Sequence, residues 1–173
     1  MPLSAAALAF PIENLETLRP SADDVILLAG DIVAYDEKLS ALINGLEAGE
    51  KTIMFAFERM EPMSVVFGSG AELGRAIEAD FTAGYALSSD CYFEVSGGEI
   101  VGYSSARDTF GAYRVRRNLL SPKEIERWDD DFIAHHRHTG VGFGEAGEAY
   151  LKELLPTMPD GRGQKLLASL GLA

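Results

Sequence analysis

Three histidines, His135, His136 and His138, stand within four consecutive positions, and Asp131 lies just before them. If a helix runs this far, Asp131, His135 and His138 share one side at i, i+4 and i+7, so two imidazoles and a carboxylate face a common point where a divalent cation would fit. The same residues suit a helix C-terminus for a simpler reason, since cationic side chains interact well with the dipole there, and His136 continues an apolar stripe. A metal held by one helix also stays open unless a second element adds a ligand.

Three other stretches have the residue types of a reactive or binding site. Gly68-Ser69-Gly70-Ala71-Glu72-Leu73-Gly74 has the composition of a phosphate loop. Its G-x-G-x-x-x-G spacing is one residue too long for the dinucleotide fingerprint, and no Lys-Ser or Lys-Thr pair follows. Ser69 and Glu72 are already accounted for as a helix capping box. Gly102-Tyr103-Ser104-Ser105-Ala106 approximates a nucleophile elbow at Ser104, yet the residues after it read as another strand where the elbow requires a helix. Cys91, the only cysteine, has no cationic neighbour in sequence and reads as a small buried hydrophobe.

Charge sorts the remaining candidates. The net charge is −12, and all of the excess lies in residues 1–100, which hold 17 acidic and 5 basic side chains. A field of this sign opposes direct nucleic-acid binding, because phosphate contacts need Lys and Arg in excess. It favours a basic protein surface as partner. The acids Asp31, Asp36, Glu37, Glu47 and Glu50 are the expected contact residues, with Glu58, Glu61, Glu72, Glu78 and Asp80 beyond them. Against this background Arg107, Arg114, Arg116 and Arg117 form a cationic cluster. Arg107, Arg114 and Arg116 are the candidates for binding an anionic group, since a planar guanidinium matches carboxylate or phosphate; pairing with the chain's own acids is the competing role.

The elements that must position these residues are read from periodicity. Residues 1–20 contain three prolines and no sustained period, and read as an N-terminal arm; residues 21–173 read as one domain. Ser21 with Asp24 has the form of a helix start, and Val25, Leu28, Ala29, Ile32, Tyr35, Leu39, Leu42, Ile43 and Leu46 follow at spacings of three and four. This predicts a long helix from Ser21 to Ala48, with Asp31, Asp36, Glu37 and Glu47 on its polar side. Lys51 to Glu58 and Met63 to Phe67 predict a hairpin, and Ala71 to Leu87 a helix. Tyr92 to Ser96, Glu99 to Tyr103 and Thr109 to Arg117 predict a three-stranded meander whose first turn is Gly97-Gly98. Ser121-Pro122-Lys123-Glu124 marks the clearest helix start, and Gly140 its stop. Helices over Glu145 to Leu155 and Lys165 to Leu170 complete the chain.

The expected fold is α+β: a two-layer sandwich with a mainly antiparallel sheet of about five strands, in the order helix-β-β-helix-β-β-β-helices. No apolar run reaches the roughly 20 residues of a membrane helix. The expectation is a cytoplasmic protein without a cofactor or membrane partner, with homodimerisation through a sheet edge or a long helix as an option. Since each enzyme signature lacks the spacing or context its mechanism needs, the leading reading is a non-catalytic acidic binding or regulatory protein, inhibitor-, immunity- or chaperone-like. A small-molecule sensor with its ligand between sheet and helix is the alternative. A small hydrolase or metal-dependent enzyme using His135, His136 and His138 is the second.

Overall fold

Runs of β-branched and aromatic residues build the sheet, and the longest-range pairing in it joins the first strand to the last. The computed structural model describes residues 18–30, 37–57, 63–79, 91–95, 98–105, 110–139, 144–159 and 161–173. Its strands are β1 (Asp24–Gly30), β2 (Lys51–Phe57), β3 (Met63–Phe67), β4 (Cys91–Val95), β5 (Ile100–Ser105) and β6 (Phe110–Arg116). They form one antiparallel sheet in the order β1-β6-β5-β4-β2-β3. The helices are α1 (Glu37–Asn44), α2 (Gly70–Ala79), α3 (Pro122–Thr139), α4 (Glu145–Leu154) and α5 (Arg162–Ser169), with 3-10 turns at Arg117–Leu119 and Leu155–Thr157. The architecture is therefore α+β.

The main correction concerns the predicted helix from Ser21 to Ala48. Asp24–Gly30 is a strand, α1 covers only Glu37–Asn44, and the intervening residues lie outside the described ones. The sequence DVILLAG holds an unbroken apolar run from Val25 to Ala29, which satisfies a helical period and a fully buried strand equally well. Burial on both faces selects the strand: all five residues are buried, with Val25, Leu27 and Ala29 in one core cluster and Ile26 and Leu28 in the other. The Ser21/Asp24 pair closes a turn. Asp24 N–H donates to the Ser21 carbonyl at 3.1 Å, while Ser21 N–H and Oγ–H reach Asp24 Oδ2 at 3.1 and 2.9 Å.

The two clusters place helices on both faces of the sheet. On one face α1 (Leu39, Leu42, Ile43), α2 (Leu73) and Trp128 of α3 pack on Ile53, Phe55, Phe93 and Tyr113. On the other, Phe132 of α3 joins α4 (Tyr150, Leu151, Leu154) and α5 (Leu166, Leu167) against Tyr92, Tyr103 and Phe110. Since α3 packs along β1 and contributes Trp128 to one cluster and Phe132 to the other, it closes the edge of the sheet that β1 would otherwise expose. At the opposite edge, β3 leaves Val66 exposed.

The remaining elements follow the sequence signals with shifted ends. The β4–β5 ladder closes at Val95 and Ile100, one residue inside the expected strand ends, with Gly98 at φ 104° in the turn. The box at Ser121 is complete, with Ser121 Oγ accepting from Glu124 N–H at 3.2 Å and Glu124 Oε2 accepting from Ser121 N–H at 2.6 Å, whereas at Ser69 the hydroxyl accepts from Glu72 N–H at 3.2 Å but the Glu72 carboxylate reaches one residue further back, to Gly68 N–H. The stretch 80–87, expected as the end of the second helix, lies outside the described residues.

Candidate functional site

The chain leaves β6 through the turn Arg117–Leu119 and starts α3 at Pro122, which sets Leu119 and Leu120 beside the first turns of α3. Across from them α1 presents Lys38, Ala41 and Leu42, and the chain then turns at Gly45. A groove of about 260 Å³ separates these walls. Its floor is apolar, formed by Ala41, Leu42, Leu119, Leu120 and Trp128, and its rim carries Lys38, Glu124, Arg127 and Asp131.

Helical spacing explains the wall on α3. Glu124, Trp128 and Asp131 stand at i, i+4 and i+7 and project from one side, so the indole lies between two carboxylates. Trp128 is anchored edge-on to Tyr113, with ring centroids 5.8 Å apart, and remains 8% exposed. Lys38 reaches across from α1, its Nζ 4.8 Å from the Trp128 ring centroid and 3.3 Å from Asp131 Oδ2. The groove therefore already holds a cation over an aromatic face beside a carboxylate. Glu124 accepts from Ser121 N–H at 2.6 Å through Oε2. That backbone hydrogen bond first, then the Ser121 hydroxyl, and then the positive charge of Arg127 hold its carboxyl below the usual range, so it is ionised at neutral pH.

Beyond Gly45 the loop to β2 carries exposed Glu47 and Glu50. Buried Lys51 shapes this loop by donating to the carbonyls of Glu47 and Gly49. These two acids are loop residues; Asp31 and Asp36 lie outside the described residues, and Glu37 opens α1 with its side chain outside them too. The helix expected from Ser21 to Ala48, with Asp31, Asp36, Glu37 and Glu47 on its polar side, is not formed: Asp24–Gly30 is β1, and α1 ends at Asn44.

The cationic cluster is partly engaged within the chain. Arg116 lies directly opposite Asp24 in the β1–β6 register, and their charged groups are 3.6 Å apart. Arg114 is half-buried on β6, paired in register with Ile26, and Arg117 N–H donates to the Asp23 carbonyl at 2.8 Å. Arg107 lies outside the described residues.

His135 and His136 stand edge-on to each other, with ring centroids 5.4 Å apart, and each also packs elsewhere. His135 sits against Gly30, where an added Cβ would fall 2.3 Å from its Cδ2, and His136 packs edge-on to Phe132 at 4.6 Å. Asp131 faces Lys38, while the side chain of His138 lies outside the described residues. Among the described residues no three of His, Cys, Asp and Glu come together as metal ligands. Ser104 pairs with Cys91 and Gly111 inside the ladder, with no strand-to-helix elbow at that point; the side chains of Ser104 and Cys91 lie outside the described residues. The Gly68–Gly74 stretch is a helix start whose Glu72 carboxylate accepts from Gly68 N–H at 2.6 Å.

Sequence reasoning missed the groove. Its only local signal is the one tryptophan of the chain flanked at helical spacing by Glu124 and Asp131. A wider, shallower depression of about 700 Å³, lined by Asp130, Ile133, Ala134, Arg137 and Ser169, lies between α3 and α5. It opens broadly to solvent, and among the described residues no aromatic side chain lines it. Among the described residues no helix is long and apolar enough to cross a membrane. Comparison with known proteins gives no match to a family model, a curated protein or a solved structure.

Proposed function

We propose that this chain is a non-catalytic cytoplasmic binding protein, of an inhibitory or regulatory kind, that takes a basic segment of a partner protein in the groove between α1 and α3. The observation that carries this reading is the groove itself, an apolar floor whose rim pairs Glu124 and Asp131 with Lys38 and Arg127 and is followed by exposed Glu47 and Glu50. In a chain of net charge −12 the surrounding field draws in cationic partners and speeds their encounter. The volume favours a protein segment over a free small molecule. About 260 Å³ is below the roughly 300–1,000 Å³ of drug-sized ligand pockets but suits one or two side chains.

The test is calorimetric titration of the full chain with a peptide of alternating Arg and Leu and with its Glu-Leu counterpart, across a salt series. The reading expects the Arg-Leu peptide alone to bind, and its affinity to fall steadily as salt rises. Equal binding of both peptides, or an affinity indifferent to salt, would sink it.

A further inference from the structure

The geometry points to a guanidinium-binding station on the face of Trp128, occupied in the unbound protein by the chain's own Lys38. This deepens the function proposed above and rests on it. An indole face and a carboxylate converge here on one cationic group: Lys38 Nζ is 4.8 Å from the Trp128 centroid and 3.3 Å from Asp131 Oδ2. An arginine side chain has better chemistry for this station than lysine. Its planar guanidinium stacks on the indole while forking a carboxylate, whereas an ammonium acts as a point charge.

Lys38 is placed so that it can be displaced. Its side chain is 33% exposed and that of Asp131 is 53% exposed, so the pair sits at solvent and its mutual attraction is weak. The indole beneath is held by Tyr113 and the core, so the surface offered to an incoming group is fixed. The rim is otherwise balanced, with Arg127 opposite Glu124 on the same helix. When Lys38 swings out, the station loses one positive charge and gains an open aromatic face. Lys38 is thus an internal competitor: it lowers the apparent affinity for an arginine in proportion to the fraction of time it covers Trp128.

Because Trp128 is the only tryptophan, its fluorescence reports on this station alone. The full chain and two variants, Lys38→Ala and Lys152→Ala, are titrated with the Arg-Leu peptide while tryptophan emission is read. Lys152 is exposed on α4 and paired with Glu148, so its variant makes the same change in net charge away from the groove. The expected result is a change of Trp128 emission on binding and an affinity about three- to tenfold tighter for Lys38→Ala, with little change for Lys152→Ala. Adding Asp131→Asn to Lys38→Ala abolishes the gain. Equal tightening in both lysine variants makes the effect one of net charge and overturns the station. So does salt-sensitive peptide binding that leaves Trp128 emission unchanged, although the acidic binding function would then stand. No binding of the peptide to any variant overturns both. Circular dichroism melts confirm that each variant is folded; alanine is a good helix former at both positions.

Discussion

Replacing Arg162 with methionine tests how the helices are held over the outer edge of β1. Arg162 opens α5 and forks Asp129 of α3, Nε to Oδ2 at 2.7 Å and Nη2 to Oδ1 at 2.6 Å, while Nη1 donates to the Ile26 carbonyl on β1. One side chain therefore ties two helices to an edge strand. The two charged groups are only 17% and 16% exposed, between the surface case, worth about 0–1 kcal/mol, and the buried case, where losing one partner costs about 3–5 kcal/mol. The Ile26 carbonyl also loses a charged donor, worth about 1.5–3 kcal/mol in other settings. A net loss of about 2–3 kcal/mol follows, or roughly 5–10 °C of melting temperature for a chain of this length. Differential scanning calorimetry reads the shift. A double-mutant cycle with Asp129→Asn should return a coupling above about 1 kcal/mol, because each single change strands the other's partner. A melting temperature within about 1 °C of the parent, or strictly additive costs, would refute the assignment of this contact as the clamp on β1.

Two further changes probe the packing beneath. A Cβ on Gly163 would lie 1.7 Å from the Leu155 carbonyl oxygen, a backbone atom that cannot rotate away. Gly163→Ala should therefore cost about 1–3 kcal/mol despite the better helix propensity of alanine, and a thermal melt above that of the parent would contradict the close approach of α5 to the Leu155 turn. At high pH the buried phenols should drive unfolding. Burial pushes Tyr92 up to about 12, and burial together with the nearby Tyr92 and Tyr103 pushes Tyr150 well above its ordinary value. Both folded-state values are raised, so stability is intact below about pH 10 and declines as pH rises toward 12, where the unfolded chain ionises first. For Tyr92 alone the full loss is about 2–3 kcal/mol. Urea midpoints across the alkaline range would show it, Tyr92→Phe should reduce it, and a flat profile in the parent would exclude it.

Local chemistry made much of this fold readable. The β2–β3 hairpin and the β4–β6 meander announce themselves by alternation and turn residues, and the serine and glutamate pairs at Ser69/Glu72 and Ser121/Glu124 mark the starts of α2 and α3. The exception, β1, has no such signal of its own. The run from Val25 to Ala29 is apolar on every side, and what makes it a strand is pairing with β6 at Asp24↔Arg116 through Gly30↔Phe110, far along the chain. A serine and an aspartate three residues apart serve a turn as well as a helix cap, so Ser21 and Asp24 pointed the wrong way.

The site was hidden for the same reason. Trp128 and Asp131 are neighbours on α3 by spacing alone, but Lys38 reaches them only because α1 and α3 pack toward the same face of the sheet. The position of α3 is set by demands unrelated to ligand: it must cover β1, with Trp128 buried on one side of the sheet and Phe132 on the other. A helix pinned at two points on opposite faces cannot roll without exposing one of them. Its ladder of Glu124, Trp128 and Asp131 is therefore held in one orientation, and ligand binding need not order that wall. The displaceable part is Lys38, whose flexible stem rather than the helix carries the change between covered and open.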